Sequence, residues 1–241
     1  PEVYFEYSKY LYTTGRKNES LETLNKTISI CKANFGEKHS LTSYSYKLIG
    51  DYYKNQSDFN TALKFYQKSL NSIISDFNDP DIFSNPSADS SIFDIRLLDN
   101  LKCKAEALEL LAGTIGSSEN KLKTLQKALE TADLALKVID RIRNNYLTEE
   151  SRIYLAENEK DTWFSAIGTA NSLYTLTNDN SFIKRMYSIV QRAKAAVLRN
   201  EISENNLLYS SSVPDSLIET QKTLAENIAA YNKLILEESQ L

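Results

Sequence analysis

The chain has 241 residues, 41% of them hydrophobic and 25% charged, a composition able to bury a core rather than stay disordered. Its 28 basic and 32 acidic side chains leave a net charge of −4, which argues against a general nucleic-acid binder. It holds 6 glycines and 4 prolines, with no proline between residues 87 and 213, so the closely spaced turns of a sheet protein are missing.

The expected fold class is therefore all-α, with helices joined by short polar turns. Cys31 and Cys103 fall within helical patterns and read as reduced, packed thiols. No apolar run is long enough to span a bilayer, so no membrane contact is expected. The chain opens on Pro1 with neither an initiator Met nor a signal-like segment. It reads as an excised piece of a longer protein, and a cytoplasmic location is the expectation.

In chain order, the first signal is a repeat. Residues 43–76 read SYSYKLIGDYYKNQSDFNTALKFYQKSLNSIISD. Tyr46, Ile49, Gly50 and Tyr53 fall at the spacing of W-x2-L-G-x2-Y, and Ala62 and Tyr66 at that of A-x3-F. Ser69 stands where a small residue is wanted, and Ile74 stands in place of the proline. Gly50 and Ala62 are small enough to let two antiparallel helices approach, while Tyr46, Tyr53 and Tyr66 fill the gaps beside them. Ser57 and Asp58 lie in the turn and can cap the second helix.

With an offset of 42 the pattern recurs upstream: Tyr4, Tyr7, Ser8 and Leu11, then Ser20, Leu24 and Thr27. The added residues form the linker Asn34-Phe35-Gly36-Glu37-Lys38-His39-Ser40. These residues resemble a tetratricopeptide repeat of the long, kinesin-light-chain type, covering residues 1 to about 76. The resemblance implies a right-handed superhelix of antiparallel helix pairs.

Residues 77–90 form a polar loop with Pro80 and Pro86. Residues 91–241 read as degenerate helical hairpins continuing the same solenoid, about four pairs in all plus a C-terminal helix. A helix is expected from Ser91 to Ala112, with Leu97, Leu101, Lys104, Ala105 and Leu108 on one face and Lys104 able to snorkel its ammonium outward. Gly113 to Asn120 is read as a turn, followed by a helix from Lys121 to Tyr146 whose stripe includes Leu125, Ala128, Leu129, Ala132 and Leu136. Thr148, Glu149 and Glu150 start a helix that continues to about Leu176. After the Asn178-Asp179-Asn180 turn, its partner runs from Ser181 to about Ile202. A last helix, Pro214 to Glu238, carries Leu217, Leu224 and Tyr231 at intervals of seven, interleaved with Gln221, Ile228 and Ile235. It is expected to cap the solenoid, to lead to a further domain, or to form a homodimer through residues 214–238.

Residues 121–241 resemble the region before the protease domain of bacterial TPR–CHAT proteins. The likeness rests on Ala128, Ala132-Asp133, Ile142-Arg143, Tyr146, Glu150-Ser151, Ala166, Leu173-Tyr174, Ala193-Lys194-Ala195, Leu198, Pro214 and Leu217. It implies a sensor or scaffold that recognises a partner and controls a caspase-like cysteine protease further along the chain, where the catalytic His and Cys would lie.

No catalytic constellation is read in these 241 residues, and no cofactor or metal is expected. The one histidine, His39, lies in the repeat linker and adjoins neither cysteine in sequence. No CxxC, HExxH, EF-hand, GxGxxG or GxxxxGK[ST] pattern occurs. Lys184, Arg185, Arg192, Lys194 and Arg199 share one helix and read as a solvated or ion-paired face.

Function is expected on the concave surface, where the first helix of each pair faces a bound protein or peptide. The outward positions are Phe5, Lys9 and Tyr12 in the first repeat and Tyr44, Lys47, Asp51 and Lys54 in the second. Aromatics mixed with both charge signs point to a partner segment that is part polar and part apolar. Asp51 stands where a carboxylate clamp would need Asn, so a terminal carboxylate is not the expected ligand. The alternative role is homo-oligomerisation through the C-terminal helix.

Overall fold

The computed structural model describes residues 1–87, 95–146, 148–193 and 214–238. Among these residues there are helices and turns but no strand. Four helices make up the first third: α1 (Glu2–Thr13), α2 (Lys17–Phe35), α3 (Ser40–Lys54) and α4 (Phe59–Ile73). They are followed by α5 (Ile95–Thr114), α6 (Ser118–Asn145), α7 (Glu149–Asn158), α8 (Lys160–Thr177), α9 (residues 180–193) and α10 (Asp215–Glu238). The pairs α1–α2, α3–α4 and α5–α6 pack as hairpins, and α2–α3, α4–α5 and α6–α8 join each pair to the next. This is a TPR-like all-α repeat fold.

Capping residues set the helix starts. The Asp58 carboxylate accepts the Thr61 amide at 3.1 Å and opens α4. His39 opens α3, its Nδ1 accepting the Leu41 amide at 3.1 Å while its ring stacks on Phe35. The thiol of Cys31, fully buried in α2, accepts from the Ser45 hydroxyl, so His39 and Cys31 are each engaged elsewhere. Thr148 opens α7 by accepting the Ser151 amide at 3.3 Å.

The hairpin seam of the second repeat depends on Gly50. A Cβ built there would stand 2.5 Å from Cε1 of Tyr66, whose ring is fully buried. Ala62, Leu63 and Tyr66 then share one apolar cluster with Leu108, Leu111 and Ala128 of the next pair, so the core passes from hairpin to hairpin. Ser69 supplies the small position expected of it and binds the Ser43 carbonyl at 2.6 Å across α3 and α4.

Several helix boundaries depart from the expected ones. α6 begins at Ser118 rather than Lys121, because the Ser117 hydroxyl accepts the Asn120 amide and caps the helix three residues early. The single helix expected from Thr148 to Leu176 is broken at Glu159, where φ and ψ are −100° and 5°. The Glu159 carboxylate is nearly buried, accepts the Thr162 hydroxyl at 2.9 Å and pairs with Lys102 at 2.8 Å, so contacts from outside the helix hold the break. α5 runs on to Thr114; the expected start at Ser91 and the expected end of α9 at Ile202 lie outside the described residues.

Lys104 does not snorkel. It is fully buried, and its ammonium donates to Gln67 Oε1 at 2.7 Å, to the Ser84 carbonyl at 2.5 Å and to Asn85 Oδ1 at 3.0 Å. The cause is the segment after α4, which folds back over α4 and α5 as a strap. Gln67 and Asn71 donate to the Asp79 carbonyl, Asn85 donates to Thr131 of α6, and Ile82 and Phe83 pack on the Tyr66 cluster. Lys38 holds the start of the strap by donating to the carbonyls of Asn71, Ile74 and Phe77 at the C-terminal end of α4.

Candidate protein-binding groove

α1 and α3 lie side by side as the first helices of consecutive pairs. Between them runs a groove of about 450 Å³, floored by Ser8, Ser20 and Leu24 and walled by Tyr12, Tyr44 and Tyr52. Lys9, Tyr12, Tyr44, Lys47 and Asp51, five of the seven residues expected on the binding face, come together along it. Phe5 and Lys54 do not. Phe5 is 3% exposed and meets Tyr44 edge-on at 4.9 Å, so it supports the wall from beneath rather than facing outward. Lys54 reaches across to α5 and pairs with Glu106 at 2.6 Å.

Sequence reasoning missed Tyr52, Leu48 and Asn55 on this surface. With Tyr44 and Asp51 they form the series 44, 48, 51, 52, 55, a stripe of helical period that was available to be read. Lys54 continues the series 44, 47, 51, 54, also of helical spacing, but stands at its edge, where α5 draws it away from the groove.

Charge in the groove is internally balanced. Asp51 accepts the Tyr66 hydroxyl on Oδ1 at 2.7 Å and pairs through Oδ2 with Lys47 at 3.0 Å. Burial works against the Lys47 ammonium, yet Cys103, Asp51 and Asp99 outweigh it and hold its pKa above the ordinary lysine value. Burial, reinforced by the Asp51 carboxylate, pushes the Tyr66 phenol up, so it remains a donor. Lys9 is matched by Glu6 at 2.7 Å. Arg96 of α5 lies over the Tyr44 ring at 5.5 Å and braces that wall.

A second depression, between α5 and α8, is lined by Lys102, Glu106, Asp161, Thr162 and Ser165 over a floor of Ala105, Ala132 and Ala135. The pairs Lys47–Asp51, Lys54–Glu106 and Lys102–Glu159 mark out the surface from α3 to the α7–α8 junction. The first depression is aromatic and the second is charged with an alanine floor.

The paired helices α1 to α4, the glycine above the Tyr66 ring and the groove between first helices agree with one comparison. Residues 3–73 match the tetratricopeptide repeat family. The match covers α1 to α4 and places the groove inside the tetratricopeptide-repeat region. Such repeats are non-catalytic scaffolds that generally mediate protein–protein interaction. No curated protein matches the chain significantly.

Chemistry elsewhere is limited. Burial pushes the Cys103 thiol up to about 12, so it is protonated and a poor nucleophile. Among the described residues no group of three or more His, Cys, Asp or Glu could hold a metal ion, and no helix is long and apolar enough to cross a membrane. Arg185 and Arg192 of α9 pair with Asp133 and Asp140 of α6, and Arg192 lies over Trp163. Lys194 and Arg199 lie outside the described residues.

Proposed function

We propose that the chain is a non-catalytic interaction module whose α1–α3 groove holds a segment of a partner protein. What supports this is the convergence of Tyr12, Tyr44 and Tyr52 around a cleft whose charges are already paired. Tyrosine offers a large apolar face with a polar tip and loses little side-chain freedom on contact. The preferred guest is therefore an aromatic or aliphatic side chain flanked by neutral polar groups, presented on a peptide. A terminal carboxylate is disfavoured, because Lys47 would have to abandon Asp51 to meet it.

Peptides selected from a random display library against the chain test this reading. Selected peptides should be enriched in aromatic and aliphatic residues. Tyr44→Ala combined with Tyr52→Ala should weaken them at least tenfold in fluorescence anisotropy while leaving helicity unchanged. Binders that ignore both substitutions and the further change Lys47→Ala would place recognition elsewhere.

The resemblance of residues 121–241 to TPR–CHAT proteins supports a more specific role, the sensor part of a bacterial, cytoplasmic protein whose caspase-like protease lies further along the polypeptide. The complete reading frame tests this, since a following domain with paired His and Cys is required.

A further inference from the structure

The slot that α1 and α3 form above α2 has a counterpart further along the stack. The first is floored by Ser20 and Leu24 of α2. The second, of about 330 Å³ between α5 and α8, is floored by Ala132 and Ala135 of α6 together with Ala105. Between the two, the space from α3 to α5 is bridged. Lys54 pairs with Glu106, Lys47 and Asp51 stand beside Cys103, and Tyr66 reaches from α4 to Asp51. The surface therefore offers two open positions with a bridged one between them.

The second position lacks counter-charge. Along the surface from α3 to the α7–α8 junction, Lys47, Lys54 and Lys102 are taken by Asp51, Glu106 and Glu159. Three carboxylates remain. Among the described residues, Asp161 in the slot wall and Asp99 and Glu109 on α5 have no cation within ion-pair distance. Glu109 stands one turn along α5 from Glu106, beside Thr169 of α8. Burial raises the carboxyls of Asp99 and Glu109 above the ordinary value, an effect that a cation brought alongside would reverse. A metal ion does not answer the need, because among the described residues no three such groups stand close enough to hold one. A long side chain with an apolar stem and a cationic head does. The stem lies on the alanine floor, and the head lies among the carboxylates of Asp161, Glu106 and Glu109.

We infer that the α5–α8 slot takes a lysine or arginine side chain from the same partner segment whose aromatic or aliphatic residue enters the α1–α3 groove. The inference rests on the role proposed above for that groove and adds a second residue to the motif. The segment crosses the bridged middle over Lys47, Asp51 and Lys54. The partner is thus apolar at one end of its motif and basic at the other.

Peptides selected from a random display library against the intact chain are the probes. They should carry a lysine or arginine in addition to an aromatic or aliphatic residue. Replacing that basic residue by norleucine should weaken binding about tenfold or more in fluorescence anisotropy. Asp161→Asn combined with Glu109→Gln should cost the original peptide as much and the norleucine peptide almost nothing. Ser165→Lys places a cation in the slot from the exposed wall of α8 and should act in the same way without touching a carboxylate. Glu22→Gln combined with Glu130→Gln removes the same charge at exposed positions on α2 and α6 and should cost little. Circular dichroism should be unchanged in every variant. Selected peptides without a basic residue overturn the inference, as does binding indifferent to both slot variants. So does a loss that the norleucine peptide shares or that the Glu22 and Glu130 pair reproduces. If Tyr44→Ala with Tyr52→Ala spares binding while the slot variants abolish it, the groove reading fails and the single segment with it.

Discussion

Tyr66 is wedged beneath Gly50 with its hydroxyl on Asp51, so a methyl group at position 50 must displace a buried ring. Gly50→Ala should cost about 1–3 kcal/mol in urea denaturation, and the loss should shrink in a Tyr66→Leu background, where the ring is gone. Lys104 offers a test of a different kind. Burial lowers its pKa from the ordinary 10.5 to about 7, with Asp81 and Asp79 opposing and Lys127 assisting. The folded chain therefore releases this proton near pH 7, while the unfolded chain keeps it to about pH 10.5. Over that interval the unfolded state binds more protons, so stability rises with pH. Lys104→Met should flatten the rise in urea midpoint between pH 7 and 8, where Cys103, with an ordinary value of 9.0, is still mostly protonated in the unfolded chain. It should also speed hydrogen exchange in residues 77–87 by removing the donor shared by Gln67, Ser84 and Asn85.

Among elements, the first two hairpins were legible because small residues and tyrosines recur with a fixed offset, and that spacing states which helices touch. The caps at Asp58 and Thr148 were equally plain, since a carboxylate or hydroxyl at a helix start has one obvious use. What escaped reading depends on groups distant in sequence. The fate of Lys104 is decided by a strap 19 to 20 residues upstream, and the break at Glu159 by Lys102 of another helix. Likewise, Phe5 and Tyr44 settle into one wall only after α1 and α3 come together. Glu159→Ala should destabilise the α7–α8 junction by about 1–3 kcal/mol, since it leaves Thr162 and Lys102 without their partner. Hydrogen exchange should rise in the first turn of α8 and remain unchanged in α1 and α2.

Over the whole molecule, stability is built from neighbour contacts, because each hairpin packs on the next and the apolar clusters hand over along the stack. Leu24→Ala removes side-chain volume from the cluster joining α2 to α3, a change that costs about 2–5 kcal/mol in a well-packed core. The loss should appear as early melting of α1 and α2 in temperature-resolved hydrogen exchange, with α5 and α6 protected to the native transition. Uniform loss of protection along the chain would mean that it melts as one block.

Asp51 has one oxygen on the cleft lysine and the other on the phenol inside the hairpin. Loss of the Lys47 ammonium leaves that carboxylate less neutralised and therefore a stronger acceptor for Tyr66. One carboxylate thus ties the wall of the cleft to the seam beneath Gly50, so the two cannot be altered independently.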